Sequence, residues 1–285
     1  MNISDILLGA AIIIAAPAVN SGGEAKAAIN DGNEAKVQQI HPDQVVVDSP
    51  FVHDPVLAYE NGKYYLYSTG HGISQMTSAD RKHWTLCREG VLKNHEIPAW
   101  THDSVPGFHT HIWAPDVIHY RNKWYLAYSC STFGKNTSAI GLLSNTSLAN
   151  MNGWKDEGCI LASEGKRDNW NAIDPNFVID DKGNPWMTWG SFWDGIQLVK
   201  LDKKTMHVKK GAKPQTIARR HAFGDASAEL NPTSKFAGTN AIEAPFIMKH
   251  GGYYYLFVSW DYCCRGIKSN YRVAVGRSKK VAGPY

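Results

Sequence analysis

Four segments of this chain set a carboxylate beside or near a proline at the start of a strand-like run. They are Asp54-Pro55-Val56-Leu57, Ala114-Pro115-Asp116-Val117, Asp174-Pro175-Asn176-Phe177 and Glu243-Ala244-Pro245-Phe246. Paired carboxyls can cleave a glycosidic bond: a protonated one gives its proton to the leaving oxygen, and an ionised one activates water or attacks the anomeric carbon. Such a pair needs unlike surroundings, so that one pKa rises while the other stays low. A single Asp-Pro at a strand start is ordinarily a turn or cap. Acids returning at corresponding places in a repeat point instead to one shared site, and Glu243, with the longer reach, suits the acid. Other constellations carry less. His102, His109 and His111 precede Trp113, and a His-x-His pair can ligate zinc. Without a clear third ligand they read as the polar rim of a cleft. Gly70-His71-Gly72 and Gly251-Gly252 read as turns, and no Gly-x-Ser-x-Gly nucleophile elbow is present. Trp113 and Trp193 fit either the core or a wall that stacks on a sugar ring.

The elements that must position these acids are themselves repeated. The acids stand 62, 58 and 69 residues apart (54 to 116, 116 to 174, 174 to 243), and each proline leads through apolar residues and a polar turn to an aromatic strand. Glu60-Asn61-Gly62-Lys63-Tyr64-Tyr65 parallels Arg121-Asn122-Lys123-Trp124-Tyr125. Asp181-Lys182-Gly183-Asn184-Pro185-Trp186 parallels His250-Gly251-Gly252-Tyr253-Tyr254. Turn-bounded runs at Lys63 to Ser68, Lys123 to Ser129, Pro185 to Gly190 and Gly252 to Ser259 read as strands, with shorter ones at Ala139 to Ser144, Gly195 to Leu201 and Tyr271 to Ser278. No segment past the N-terminus holds a helical period for three turns. Short strands in repeated units describe an all-β propeller. A sandwich is the alternative, but it gives no reason for the acid-proline phrase to recur.

At 285 residues and 43% hydrophobic content the chain can bury a large core. Its net charge of +4 comes from scattered Lys and Arg, such as Lys203-Lys204 and Arg219-Arg220, not from the dense stripe that nucleic acid would require. The apolar run from Ile6 to Val19, followed by Ala25-Lys26-Ala27, predicts a signal peptide at 1–27. A polar lead-in at 28–44 and a catalytic domain at 45–285 would follow, giving a secreted or periplasmic protein with no membrane association after cleavage. The five cysteines form no metal spacing, and the adjacent pair Cys263-Cys264 is not expected to bridge. Stability is therefore expected to come from packing.

At His53-Asp54-Pro55, Trp113-Ala114-Pro115-Asp116-Val117, Asn171-Ala172-Ile173-Asp174-Pro175-Asn176, Trp189-Gly190-Ser191-Phe192-Trp193-Asp194-Gly195-Ile196 and Ile242-Glu243-Ala244-Pro245-Phe246, the chain resembles glycoside hydrolase family 43. Ser259-Trp260-Asp261-Tyr262-Cys263-Cys264-Arg265-Gly266 is similar to a stretch of the endo-1,5-α-L-arabinanases in particular. The resemblance spans about residues 50 to 285. It implies an inverting hydrolase of internal arabinan bonds on a five-bladed β-propeller. Asp54 would be the general base, Glu243 the general acid, and Asp174 a third carboxylate that raises the acid's pKa and orients it. Asp116 matches no catalytic role and reads as structural. Asp54, Trp113, Gly134, Asn171, Asp174, Gly190 and Ser191 would contact or line the arabinose site. The family's fifth blade carries a histidine that helps hold an axial ion, commonly calcium. That region would follow Gly283-Pro284-Tyr285, so about four blades are expected here, and calcium is expected only by resemblance. The expected partner is arabinan or an arabino-oligosaccharide, bound by a monomer. An exo-acting arabinofuranosidase or β-xylosidase, and an inactive carbohydrate-binding propeller, are the alternatives.

Overall fold

The computed structural model describes residues 44–221 and 237–285. The expected signal peptide, and the lead-in up to residue 43, lie outside the described residues. Gln44 already belongs to the first strand.

Four antiparallel sheets follow one another along the chain. The first takes β1 (Gln44–Val47), β2 (Val56–Glu60), β3 (Lys63–Ser68), β5 (Ser74–Ser78) and β6 (Trp84–Cys87) in the order β1-β6-β5-β3-β2. The second takes β4 (Gly70–His71), β7 (His111–Tyr120), β8 (Lys123–Cys130), β9 (Ser138–Asn145) and β10 (Lys155–Ser163) in the order β10-β9-β8-β7-β4. The third runs β11 (Asn176–Ile179), β12 (Pro185–Trp189), β13 (Ile196–Lys200) and β14 (Gln215–Ala218). The fourth runs β15 (Ile242–His250), β16 (Tyr253–Trp260) and β17 (Arg272–Ser278).

The strand after each proline phrase, β2, β7, β11 or β15, packs against its counterpart in the next sheet. This is the blade succession of a propeller, and it matches the four units counted in the sequence. The helix α1 (Trp100–Ser104) is short and lies between the first two blades in sequence. Val105 and Phe108, just beyond it, enter the core, and Trp100 lies 6.3 Å from Tyr128, ring centre to ring centre.

Apolar side chains fill the space between successive blades. Tyr67, Ile73, Ile112, Leu126 and Tyr128 join the first to the second. Ile140, Leu142, Phe177, Met187 and Trp189 join the second to the third. Val178, Leu198, Ile242, Tyr254 and Leu256 join the third to the fourth. Each such side chain stabilises by about 1.5–3 kcal/mol when fully buried.

Polar ties fix the register between blades. Glu60 accepts from Trp124 Nε1 and Ser147 Oγ, both at 2.7 Å. Tyr120 donates its hydroxyl to the carbonyl of Gly183 at 3.0 Å, and the N–H of Asp181 donates to Tyr254 Oη at 3.0 Å.

One sequence expectation is corrected here. Cys263 and Cys264 are joined as a vicinal disulfide in the loop between β16 and β17. Adjacent cysteines seldom approach in an extended strand, but Cys264 takes a left-handed conformation with φ 62°, which brings the two side chains together. The remaining cysteines, Cys87, Cys130 and Cys159, are free.

Candidate active site

The structural repeat is anchored on the residue before each proline. Asp54 (φ 51°), Ala114 (φ 41°), Asp174 (φ 57°) and Ala244 (φ 52°) all take the left-handed conformation. This is a costly place for a residue with a Cβ, and proline normally drives its predecessor toward extended backbone. The sequence reading placed four acids at equivalent positions, and the backbone corrects it. Only Asp54 and Asp174 correspond. Asp116 lies two residues past its anchor, and Glu243 one residue before its own, where the other units carry His53, Trp113 and Ile173. Proline had been matched with proline, but the acids themselves slip in register.

The last three anchors are each held from the preceding unit. The N–H of Ala114 donates to Thr69 Oγ1 at 2.9 Å, and the N–H of Asp174 donates to Ser129 Oγ at 3.0 Å. Thr69 and Ser129 occupy equivalent places just past or within the second strand of their blades. The third blade has Gly190 there, which offers no hydroxyl, and Asp174 Oδ2 itself accepts the N–H of Ala244 at 3.1 Å. Gly190 has φ 131°, and a Cβ on it would lie 2.4 Å from the carbonyl oxygen of Gly195. Glycine is therefore required at this turn. The turn delivers Ser191, whose Oγ donates to Glu243 Oε2 at 2.6 Å while the two residues form an isolated β-bridge.

Asp54, Asp174 and Glu243 converge at the entry ends of β2, β11 and β15, close enough for each to perturb another. Asp54 Oδ2 accepts from Thr69 Oγ1 at 2.6 Å and lies 2.8 Å from His53 Nδ1. That hydrogen bond is the main cause of a raised His53 pKa, with the charges of Asp54 and Glu243 adding and desolvation opposing. Asp174 and Glu243 keep some accessible surface, yet protein surrounds both carboxyls. Burial pushes Glu243 up to about 7, the hydrogen bond from Ser191 opposes the rise, and the charge of Asp54 adds to it. Asp174 is held well above the usual carboxyl range by burial, then by the charges of Glu243 and Asp54. The site thus supplies a carboxyl that keeps its proton near neutrality, facing an exposed aspartate held by a hydroxyl and an imidazole.

The other expected residues are distributed around this cluster. Trp113 donates Nε1 to His111 Nδ1 at 3.2 Å. His111 is 5.3 Å from His71, ring centre to ring centre, and its pKa is lowered by burial and then by the positive charge of His71 and His53. His53 touches Asp54 directly, and His111 lies within reach of its charge. Asn171 is buried, and its side-chain oxygen accepts from Ser138 Oγ at 2.6 Å, so that oxygen is engaged by the protein. Gly134 lies on an exposed turn beside Phe133, and Trp193 is buried. Sequence reasoning gave no role to Thr69, Ser129, His53 or His71. The signal was there for the first two, a hydroxyl residue at the same distance past proline in successive units.

Among the described residues no three His, Cys, Asp or Glu side chains gather so as to hold a metal ion. The calcium expected by resemblance has no carboxylate or imidazole cage among them.

Comparison with known proteins bears on this geometry. Residues 44–285 match the family described as glycosyl hydrolases family 43. An extracellular exo-alpha-(1->5)-L-arabinofuranosidase of Cellvibrio japonicus is 43% identical over 237 residues, which are 82% of this chain and 66% of that protein. An extracellular endo-alpha-(1->5)-L-arabinanase of Bacillus subtilis is 42% identical over 238 residues, 82% of this chain and 67% of that protein. The chain thus spans about two thirds of the length of these relatives. Among solved structures, an exo-1,5-alpha-L-arabinanase from a bovine ruminal metagenomic library superposes with a TM-score of 0.74 at 54% identity, covering 84% of this chain and 74% of that one.

Proposed function

The chain belongs to glycosyl hydrolases family 43, and on that premise we propose that it hydrolyses the α-1,5-L-arabinofuranosidic bonds of arabinan with inversion. The observation that carries the reading is the unlike surroundings of two carboxyls in one cluster, Glu243 enclosed by protein and pushed up to about 7, Asp54 exposed and held by Thr69 and His53.

Asp54 takes a proton from a water molecule as that water's oxygen forms a bond to the anomeric carbon. Glu243 gives its proton to the bridging oxygen as the bond from that oxygen to the anomeric carbon breaks. The leaving chain departs as an alcohol, and the new hydroxyl stands on the opposite face of the ring. Ser191 orients the Glu243 carboxyl, Thr69 and His53 orient Asp54, and Asp174 fixes the backbone that carries Glu243 through the N–H of Ala244. Trp113 and the imidazole of His111 provide a wall for the sugar ring. We place the enzyme outside the cell, in line with the two extracellular relatives.

We favour internal cleavage, as the arabinanase-like stretch around Cys263-Cys264 indicates. Release from chain ends is the second reading, favoured by the 54% identity to an exo-1,5-alpha-L-arabinanase. Early products from linear arabinan distinguish them: a spread of oligomers is expected for endo attack, and one short product from the outset would establish exo attack. Proton NMR of the first products is expected to show the β-anomer. An α-anomer would overturn inversion, and retention on arabinan without cleavage would leave a binding protein.

A further inference from the structure

Asp116 and Asn176 hold the same position in successive blades, two residues past the left-handed anchor, and both are buried (5% and 3% exposed). Asp116 Oδ2 accepts the N–H of Phe177 at 2.7 Å and Nδ2 of Asn176 at 3.2 Å. Asn176 Oδ1 accepts the N–H of Ile247 at 2.8 Å. Each side chain thus reaches the third residue past the anchor of the next blade, since Phe177 follows Asp174 by three and Ile247 follows Ala244 by three. Asp116 also takes the N–H of Val117 in its own strand.

The residue types follow from this pattern. Asp116 meets three donors, which its carboxyl oxygens accept. Asn176 must give one hydrogen bond and accept one in opposite directions, which an amide does and a carboxylate does not. The first blade has Val56 in this place, with no polar atom to reach forward. The N–H of Val117 is served by Asp116 instead.

We propose that Asp116 and Asn176 form a directed relay across three blades that sets the relative position of Asp174 and Glu243, which makes both of them positioning residues for the hydrolysis proposed above, on which this inference rests. The strand ladders cannot do this alone. Pairing of β7 with β8 is irregular between Trp113 and Asp116, and pairing of β15 with β16 is irregular between Glu243 and Phe246. These breaks fall at the catalytic end of each strand, where the backbone is left to side-chain partners. The relay starts at Asp116, just after the first break, holds Phe177 at the start of β11, and clamps the chain just after the second break, at Ile247. Displacing a catalytic group by about 1 Å costs on the order of 10²-fold in rate.

The test uses hydrogen-bond polarity. Asp116→Asn leaves one acceptor oxygen and a donor where the carboxyl group offers two oxygens to Phe177, Asn176 and Val117, and Asn176→Asp sets two carboxyls against each other. The double variant Asp116→Asn/Asn176→Asp restores one donor and one acceptor at their contact and keeps acceptors for Phe177 and Ile247. Each single variant is expected to lower kcat on arabinan by on the order of 10²-fold, with KM little changed, and to speed exchange of the Ile247 amide hydrogen. The double variant is expected to recover at least tenfold of that loss and to restore Ile247 protection, an outcome that a merely destabilising change would not give. Should one single variant fail to fold, the other and the double variant decide. Single variants with normal Ile247 exchange, or a double variant no better than the worse single one, would overturn the relay. If the parent protein cleaves no arabinan, the functional reading fails while the exchange measurements still judge the relay.

Discussion

Glu243 and Asp174 are neighbours with different electrostatic histories. Burial raises both, Glu243 to about 7 and Asp174 well above the usual range, with the charges of Glu243 and Asp54 adding to the rise at Asp174. The charge that adds to the rise at Glu243 is that of Asp54. The resemblance implies a further contribution, with Asp174 as a charge that raises the acid. The free enzyme's acid sets the alkaline limb of kcat/KM, so activity should fall above about pH 7, where Glu243 loses its proton. Asp174→Asn keeps an oxygen for the N–H of Ala244 and carries no charge; with Asp54 supplying the charge that adds to the rise at Glu243, the limb is expected to stay near pH 7. A limb lowered by a full unit, measured from kcat/KM against pH, would show that Asp174 is charged while the acid titrates. Glu243→Ala should be nearly inactive on arabinan. It should keep far more rate on an aryl arabinoside whose leaving group needs no proton, because general acid catalysis contributes about 10²–10⁴-fold only where a proton must be delivered.

At the scale of the element, the turn of residues 189–195 does most to place the acid. Gly190→Ala puts a methyl 2.4 Å from the Gly195 carbonyl at φ 131°. The turn must shift, and Ser191 moves off Glu243. A stability loss of about 1–3 kcal/mol is expected, with a fall in kcat larger than that seen for Ser191→Ala alone. Urea unfolding and steady-state kinetics check the two parts. Thr69→Val is expected to cost about 1–3 kcal/mol through the N–H of Ala114 left without its partner, while Thr69→Ser keeps both hydrogen bonds and should match the parent in unfolding.

Much of this element scale was legible in the sequence. Lys63–Ser68 was read as a strand to the residue, and Lys123–Cys130 and Arg272–Ser278 to within one residue, because alternating aromatics between Gly and Asn turns leave few other choices. The equivalence of Asp54 with Glu243 was misread. The left-handed anchors that define the repeat are alanine in two of four cases, and nothing in an alanine signals a positive φ. The Cys263–Cys264 bridge was missed for the same reason, since it depends on the local conformation at Cys264.

For the molecule as a whole, the acids held by burial or by hydrogen bonds divide into two sets with opposite effects on stability. Asp116, pushed from 3.8 to about 7 by burial against donation from Phe177, Asn176 and Val117, joins Glu243 and Asp174 in a set that binds protons more tightly folded than unfolded. For Asp116 and Glu243 the folded state loses stability as pH rises from the unfolded carboxyl range through about 7, on the order of 4 kcal/mol for Asp116 alone, and Asp174 acts in the same direction. The opposite set includes Asp180, where donation from Trp186, Asn184 and Lys182 outweighs desolvation and lowers the pKa to about 2. It also includes Glu60, lowered by Ser147, Trp124, Ala149 and Leu148 against desolvation. Their contribution is complete above the unfolded carboxyl pKa and is lost as pH falls toward the folded value. The two slopes meet in mildly acidic solution, so Tm should peak between about pH 4 and 6 and decline toward neutrality. Glu243→Gln, neutral at every pH, should flatten the decline between pH 5 and 7 and leave the acid side unchanged. Calorimetric scans across pH test this: a parent Tm that climbs from pH 5 to 8, or a variant that falls as steeply as the parent, would mean that the catalytic carboxyls are not held in their protonated form by the fold.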